Sequence, residues 1–121
     1  MSKLLINENP MVISPTLVIE LGSFEAAAFL QQLHFWLGVS QHQHEGKSWV
    51  YNTQEQCVEM MRGTISKSTA KRIVKKLQTL NLITVAQLHN NKWNKTNYFT
   101  INYVELSKLE QKYSSNPRVA D

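Results

Sequence analysis

Eight basic side chains, Arg62, Lys67, Lys71, Arg72, Lys75, Lys76, Lys92 and Lys95, occupy a stretch without a single Asp or Glu, because the acidic residues stop at Glu59 and resume at Glu105. They make up eight of the thirteen Lys and Arg residues, so a net charge of only +4 conceals a strongly cationic segment. Ammonium and guanidinium groups at this density attract a polyanion and bind its phosphates. A charge run on one helix is more often a solvated face, but here the bias continues from a helix into the loop that follows, which favours a polyanion surface. Familiar catalytic patterns are missing: there is no GxxxxGK[ST] loop, no GxSxG, no paired-carboxylate site around the basic stretch and no Cys–His pair at a recognised spacing. The expectation is a protein that is not an enzyme and needs no cofactor. His42 and His44 lack a Cys partner or HExxH spacing, so they read as exposed loop side chains rather than metal ligands. His34 reads as a packing or hydrogen-bonded residue.

The elements that must position these cations can be read around them. From Ser66, an N-cap, the chain predicts an amphipathic helix of about 14 residues. Ala70, Ile73, Val74, Leu77 and Leu80 gather on one face, and Ser68, Lys71, Arg72, Lys75 and Thr79 on the opposite one. Residues Gln54 to Met61 form a preceding helix capped by Asn52 or Thr53, and Arg62-Gly63-Thr64-Ile65 is the turn between the two. That is helix-turn-helix spacing, with the second helix placed for a major groove. Leu82 to Leu88 and Asn97 to Tyr103 then read as two strands around a basic tip, His89 to Lys95. A basic helix followed by such a hairpin is the winged-helix layout, so the expected fold is mainly α with a small β-hairpin (α+β). The expected partner is double-stranded DNA. Ser68, Lys71 and Arg72 would read base edges, and Arg62, Lys67, Lys75 and Lys76 would hold phosphates. Lys92, Trp93 and Lys95 would lie along the adjacent minor groove or backbone. Trp93 has two readings, a cross-strand pair with Tyr98 and a DNA contact.

The rest of the 121 residues supports one core. Ser14, Pro15 and Gly22 bracket a short helix. Ser23 caps a longer one over Phe24 to Leu37, whose stripe of Ala26, Phe29, Leu30, Leu33, Trp36 and Leu37 marks it as the core helix. Gly38 to Lys47 reads as a polar loop, Ser48 to Tyr51 as a short strand that buries Trp49, and Val104 to Tyr113 as a last helix with Leu106 and Leu109 facing inward or toward a partner. A single domain is expected over residues 1–113, with 114–121 a polar, disordered tail. Lone Cys57 reads as a small buried hydrophobe in a reducing compartment. No run of about 18 apolar residues suggests a membrane span, and Asn7, Glu8 and Pro10 interrupt any signal-peptide region, so a cytoplasmic location is expected.

Several blocks, LLINENP, FLQQLHFWL, GKSWVYNT, STAKRIVKKLQTLNLI and NKWNKTNYFTINY, together resemble the winged-helix N-terminal domain of phage and plasmid replication proteins of the DnaD-like initiator group. The resemblance runs from Leu4 to about Leu109. It implies DNA recognition in replication, in a bacterial host cell. Members continue into a second helical domain that engages the host machinery, which makes replication proteins implied partners. Where such recognition helices often end in Gly this chain has Asn81, a residue that tolerates the left-handed conformation. Two other roles fit the same surface: a transcriptional repressor, and a module that binds an acidic host or phage protein. A single recognition helix covers few base pairs, so self-association is also expected, through the arm Leu4-Leu5-Ile6 and the helix bearing Leu106 and Leu109.

Overall fold

The structure, a computed structural model, describes residues 10, 11, 13–86 and 97–113. The N-terminal arm, residues 87–96 and the tail 114–121 lie outside the described residues. Among the described residues the chain forms α1 (Pro15–Leu21), α2 (Phe24–Val39), β1 (His42–His44), β2 (Lys47–Asn52), α3 (Gln54–Met60), α4 (Lys67–Thr79), β3 (Ile83–Ala86), β4 (Asn97–Ile101) and α5 (Tyr103–Tyr113). Helices pack on one face of an antiparallel sheet of strand order β1-β2-β4-β3, an α+β winged helix-turn-helix.

Local chemistry sets the helix ends. Ser14, Ser23 and Ser66 each accept a hydrogen bond from the backbone N–H three residues on, and Thr53 and Gln56 form a reciprocal capping box at α3. Pro15 opens α1 and Gly22, at φ 67°, closes it. At the end of α4 the Leu82 N–H donates to Leu77 O at 2.9 Å and the Asn81 N–H to Gln78 O at 2.9 Å. This Schellman pattern needs a left-handed residue, and Asn81 supplies it at φ 60°. The same pair of bonds ends α3, where Gly63 N–H reaches Val58 O and Arg62 N–H reaches Glu59 O, with Arg62 itself at φ 55°.

The core is a single cluster. Ala26, Phe29, Leu30, Leu33 and Leu37 of α2 meet Ala70, Ile73 and Leu77 of α4, Cys57 and Met60 of α3, and the inward sheet residues Val50, Ile83, Phe99 and Ile101. Strand pairing places these sheet residues on one face, since Val50 lies opposite Phe99 and Ile83 opposite Ile101. Leu106 and Leu109 are half-buried against that core, the inward alternative of the expectation for α5. Asn102 latches the base of the hairpin to the end of α4: its amide donates to Asn81 O at 2.9 Å and its Oδ1 accepts from the Thr84 hydroxyl at 2.9 Å.

Four expectations need correction. Leu80, which the helical period groups with the buried row of α4, is the C-cap residue and 46% exposed. Residues 42–44, which their polar composition predicts as loop, form a strand: Glu45 and Gly46 both have positive φ, 52° and 77°, which makes a two-residue hairpin turn and pairs His42 with Trp49. The Asn97 strand ends at Ile101 rather than Tyr103, because Tyr103 opens α5. Trp36 is not a core residue. It is 45% exposed, packing edge-to-face on Phe35 with ring centroids 5.3 Å apart, whereas Trp49 is buried at 6% exposure as expected. Trp36 sits at the margin of an apolar stripe already filled by Leu33 and Leu37.

Two stability outcomes follow. Trp49→Ala should cost about 3–5 kcal/mol in urea unfolding and Trp36→Ala about 1 kcal/mol or less, because only the first leaves a cavity. Asn102→Ala should cost about 1–2 kcal/mol by the same measurement, through the two hydrogen bonds of its latch.

Candidate nucleic-acid interface

Helix α4 is held rigidly by its inner face and offers its outer face to solvent. Ala70, Ile73 and Leu77 are buried, Leu77 completely, and Val74 is half-buried. With about 100° between successive residues, the side chains opposite that buried row are Ser68, Lys71, Arg72, Lys75 and Thr79, and all five are exposed. Thr79 is turned back onto its own helix, its hydroxyl donating to Lys75 O at 2.9 Å. At the leading end the Ser66 Oγ accepts the Thr69 N–H and lies 3.1 Å from the hydroxyls of both Ser68 and Thr69. The positive end of the helix therefore carries three hydroxyls beside its cations, an arrangement suited to an anion.

The remaining basic residues flank that face. Lys67 lies on the α3 side and Lys76 on the other, beside Gly22 at the α1–α2 junction, where a methyl group added to Gly22 would stand 3.9 Å from its Nζ. Arg62 is exposed on the turn that leads into α4. The structure thus sets Ser68, Lys71, Arg72 and Lys75 on one exposed face of α4, with Lys67 and Lys76 on its two flanks and Arg62 on the turn before it. Lys92, Trp93 and Lys95, with the proposed pairing of Trp93 and Tyr98, lie outside the described residues. The described strands that precede and follow them in the chain, β3 and β4, pair with Ile83 opposite Ile101 and Ala86 opposite Tyr98. Tyr98 packs on Tyr51 at 4.8 Å and on His42 at 5.6 Å between ring centroids, on the sheet face away from the core.

The sequence treated all these cations as unopposed, and folding changes that for two of them. Lys67 Nζ lies 2.7 Å from Glu55 Oε1, and Arg72 Nη2 lies 3.7 Å from Glu25 Oε2. The hydrogen bond from Lys67 is the main reason that the Glu55 carboxyl is held below its usual range, with a backbone N–H and the Lys67 charge adding to it. Among the described residues no carboxylate stands within ion-pair distance of Lys71, Lys75 or Lys76. Glu25 and Glu55 come from the first turns of α2 and α3. No local signal in the sequence joins them to α4; only the fold does.

Other features bear on chemistry. Beside Lys71 a notch of about 330 Å³ opens between the start of α3, α4 and the base of β4, lined by Gln54, Asn97 and Phe99 among others. The Cys57 thiol lines it too, but burial pushes that thiol up to about 11, which leaves it protonated and inert. Among the described residues no group of three or more His, Cys, Asp or Glu could hold a metal ion. His34 is exposed yet hydrogen-bonded, its Nδ1 lying 2.8 Å from the Tyr103 hydroxyl. Tyr103 and exposed Phe35, Val39 and Val104 line an open groove on α2 and α5. Among the described residues no helix is long and apolar enough to cross a membrane.

No protein-family model matches this chain, and no curated protein matches it. A solved structure described as the N-terminal domain of a DNA-binding protein is similar to it, with a TM-score of 0.60 at 16% sequence identity, over 100% of this chain and 96% of that one. An identity that low shows a shared fold. The chain is an α+β domain of winged helix-turn-helix architecture.

Proposed function

We propose that this chain binds double-stranded DNA by laying α4 in the major groove. The reading rests on one observation: the exposed face of a helix anchored by Ala70, Ile73 and Leu77 carries Ser68, Lys71, Arg72 and Lys75 together, between flanking Lys67 and Lys76. Arg72, Lys71 and Ser68 read base edges, while Lys75, Lys76, Lys67 and Arg62 hold phosphates. The β3–β4 hairpin lies along the neighbouring backbone or minor groove, where Lys92, Trp93 and Lys95 make contact. The likeness to a domain of a DNA-binding protein supports this reading, as does the resemblance to phage and plasmid replication proteins of the DnaD-like group. The specific role is that of the DNA-recognition module of a phage or plasmid replication protein in a bacterial host, by binding rather than catalysis, with replication proteins as partners. Two copies on a repeated half-site would extend the few base pairs that one helix covers; light scattering of the complex measures the stoichiometry.

Salt dependence is the direct test. If five to seven cations contact phosphate, log K should fall with log salt at a slope of about −4.5 to −6. A slope near zero on every duplex would end the proposal, as would capture of an acidic protein in preference to DNA. Arg72→Ala should cost about 1–3 kcal/mol on the preferred site and flatten the preference among sites selected from a random duplex pool, whereas Lys76→Ala should weaken all sites about equally. Arg62→Gly removes a phosphate-holding cation at a position whose left-handed backbone glycine adopts freely, so affinity should fall for all duplexes.

A further inference from the structure

Recognition surfaces for DNA are usually judged by the cations they present. On this one, two cations are already engaged by carboxylates that reach in from other helices. Glu55, in the first turn of α3, holds Lys67 at 2.7 Å, and Glu25, in the first turn of α2, faces Arg72 at 3.7 Å. Both carboxylates belong to the rim of the face that meets the duplex. We propose that Glu25 and Glu55 act as built-in competitors of the DNA phosphates and hold down affinity for DNA of any sequence. This inference rests on the reading of α4 as the DNA-binding helix.

Magnitudes favour competition over bracing. All four side chains are about half exposed or more, with Lys67 at 58% and Glu55 at 60%. Ion pairs of that kind contribute little to stability, and they exchange readily for another anion. Two further features place the carboxylates where they are. Each sits in the first turn of its own helix, at the positive end, and the hydrogen bond from Lys67 holds the Glu55 carboxyl below its usual range. A duplex approaching α4 meets two fixed negative charges along with the cations. Each pair must either open, leaving a carboxylate near phosphate, or stay closed and withdraw its cation from the contact. Both routes reduce the number of cations that effectively neutralise DNA. Lys71, Lys75 and Lys76, which have no such carboxylate among the described residues, carry the contact unattenuated.

The test compares E55Q, E25Q and the control E110Q, which removes an exposed acidic residue of α5 away from α4, in salt titrations against an unrelated duplex. Glutamine keeps the shape of the side chain, and thermal melts confirm the fold of each variant. E55Q and E25Q should each tighten binding roughly two- to fivefold, the range open to an exposed ion pair. E55Q should also steepen the salt slope by about 0.9, because Lys67 then reaches a phosphate, whereas E25Q, which frees the base-reading Arg72, should leave the slope nearly unchanged. E110Q should do neither. In a Lys67→Met background E55Q should leave the slope unchanged, because the cation it would release is gone. Equal effects of all three substitutions would overturn the inference and reduce it to net charge. So would weaker binding by E55Q and E25Q, which would mean that the carboxylates orient their cations for DNA. Either result leaves DNA binding itself standing; a wild-type protein that binds no duplex sinks both.

Discussion

The burial of the inner face of α4 is the constraint on which the rest depends. Ala70, Ile73 and Leu77 lock the helix onto α2 and the sheet, and an α-helix so fixed has no freedom to choose which residues it shows to water. The spacing of three apolar side chains therefore decides that Ser68, Lys71, Arg72 and Lys75 point outward together. The helix is fixed along its axis as well as about it. Ser66 caps its start, Asn81 turns its end, and Asn102 ties that turn to the sheet. Precision in the outer face is inherited from the core beneath it.

Much of this was legible from the sequence because the governing interactions are local. Ser14, Ser23, Thr53 and Ser66 bond within their own first turns, and the left-handed geometry of Asn81 follows from the side chain at that position. The basic face followed from helical period alone. What escaped was set by contacts between distant parts of the chain. Trp36 belongs to an apolar pattern that should bury it, but neighbouring elements fill the space over Leu33 and Leu37 and leave the indole at the surface. Glu25 and Glu55 are ordinary helix-start acids in sequence, and only packing brings them beside Arg72 and Lys67. The strand over His42 to His44 had one readable cue in Gly46, but the left-handed Glu45 beside it is not a usual turn residue and the polar composition reads as loop.

The electrostatics of the candidate surface are consequently a property of the tertiary structure. A count of charges along residues 62–95 overstates the field at α4, because opposing groups arrive from α2 and α3. Packing acts on Cys57 as well, pushing its thiol up to about 11 by taking the sulfur out of water.

Strand β1 has a consequence of a different kind. Without it β2 would be an edge strand, and its run Trp49-Val50-Tyr51 combines high β-propensity with no charge, the type of segment that pairs with its counterpart in another molecule. Three short polar residues, His42-Gln43-His44, take the open hydrogen-bonding side of β2 through a tight hairpin and present a brief, exposed, hydrophilic edge in its place. The hairpin thereby withdraws from solvent the backbone edge of the molecule best suited to pairing with a second copy.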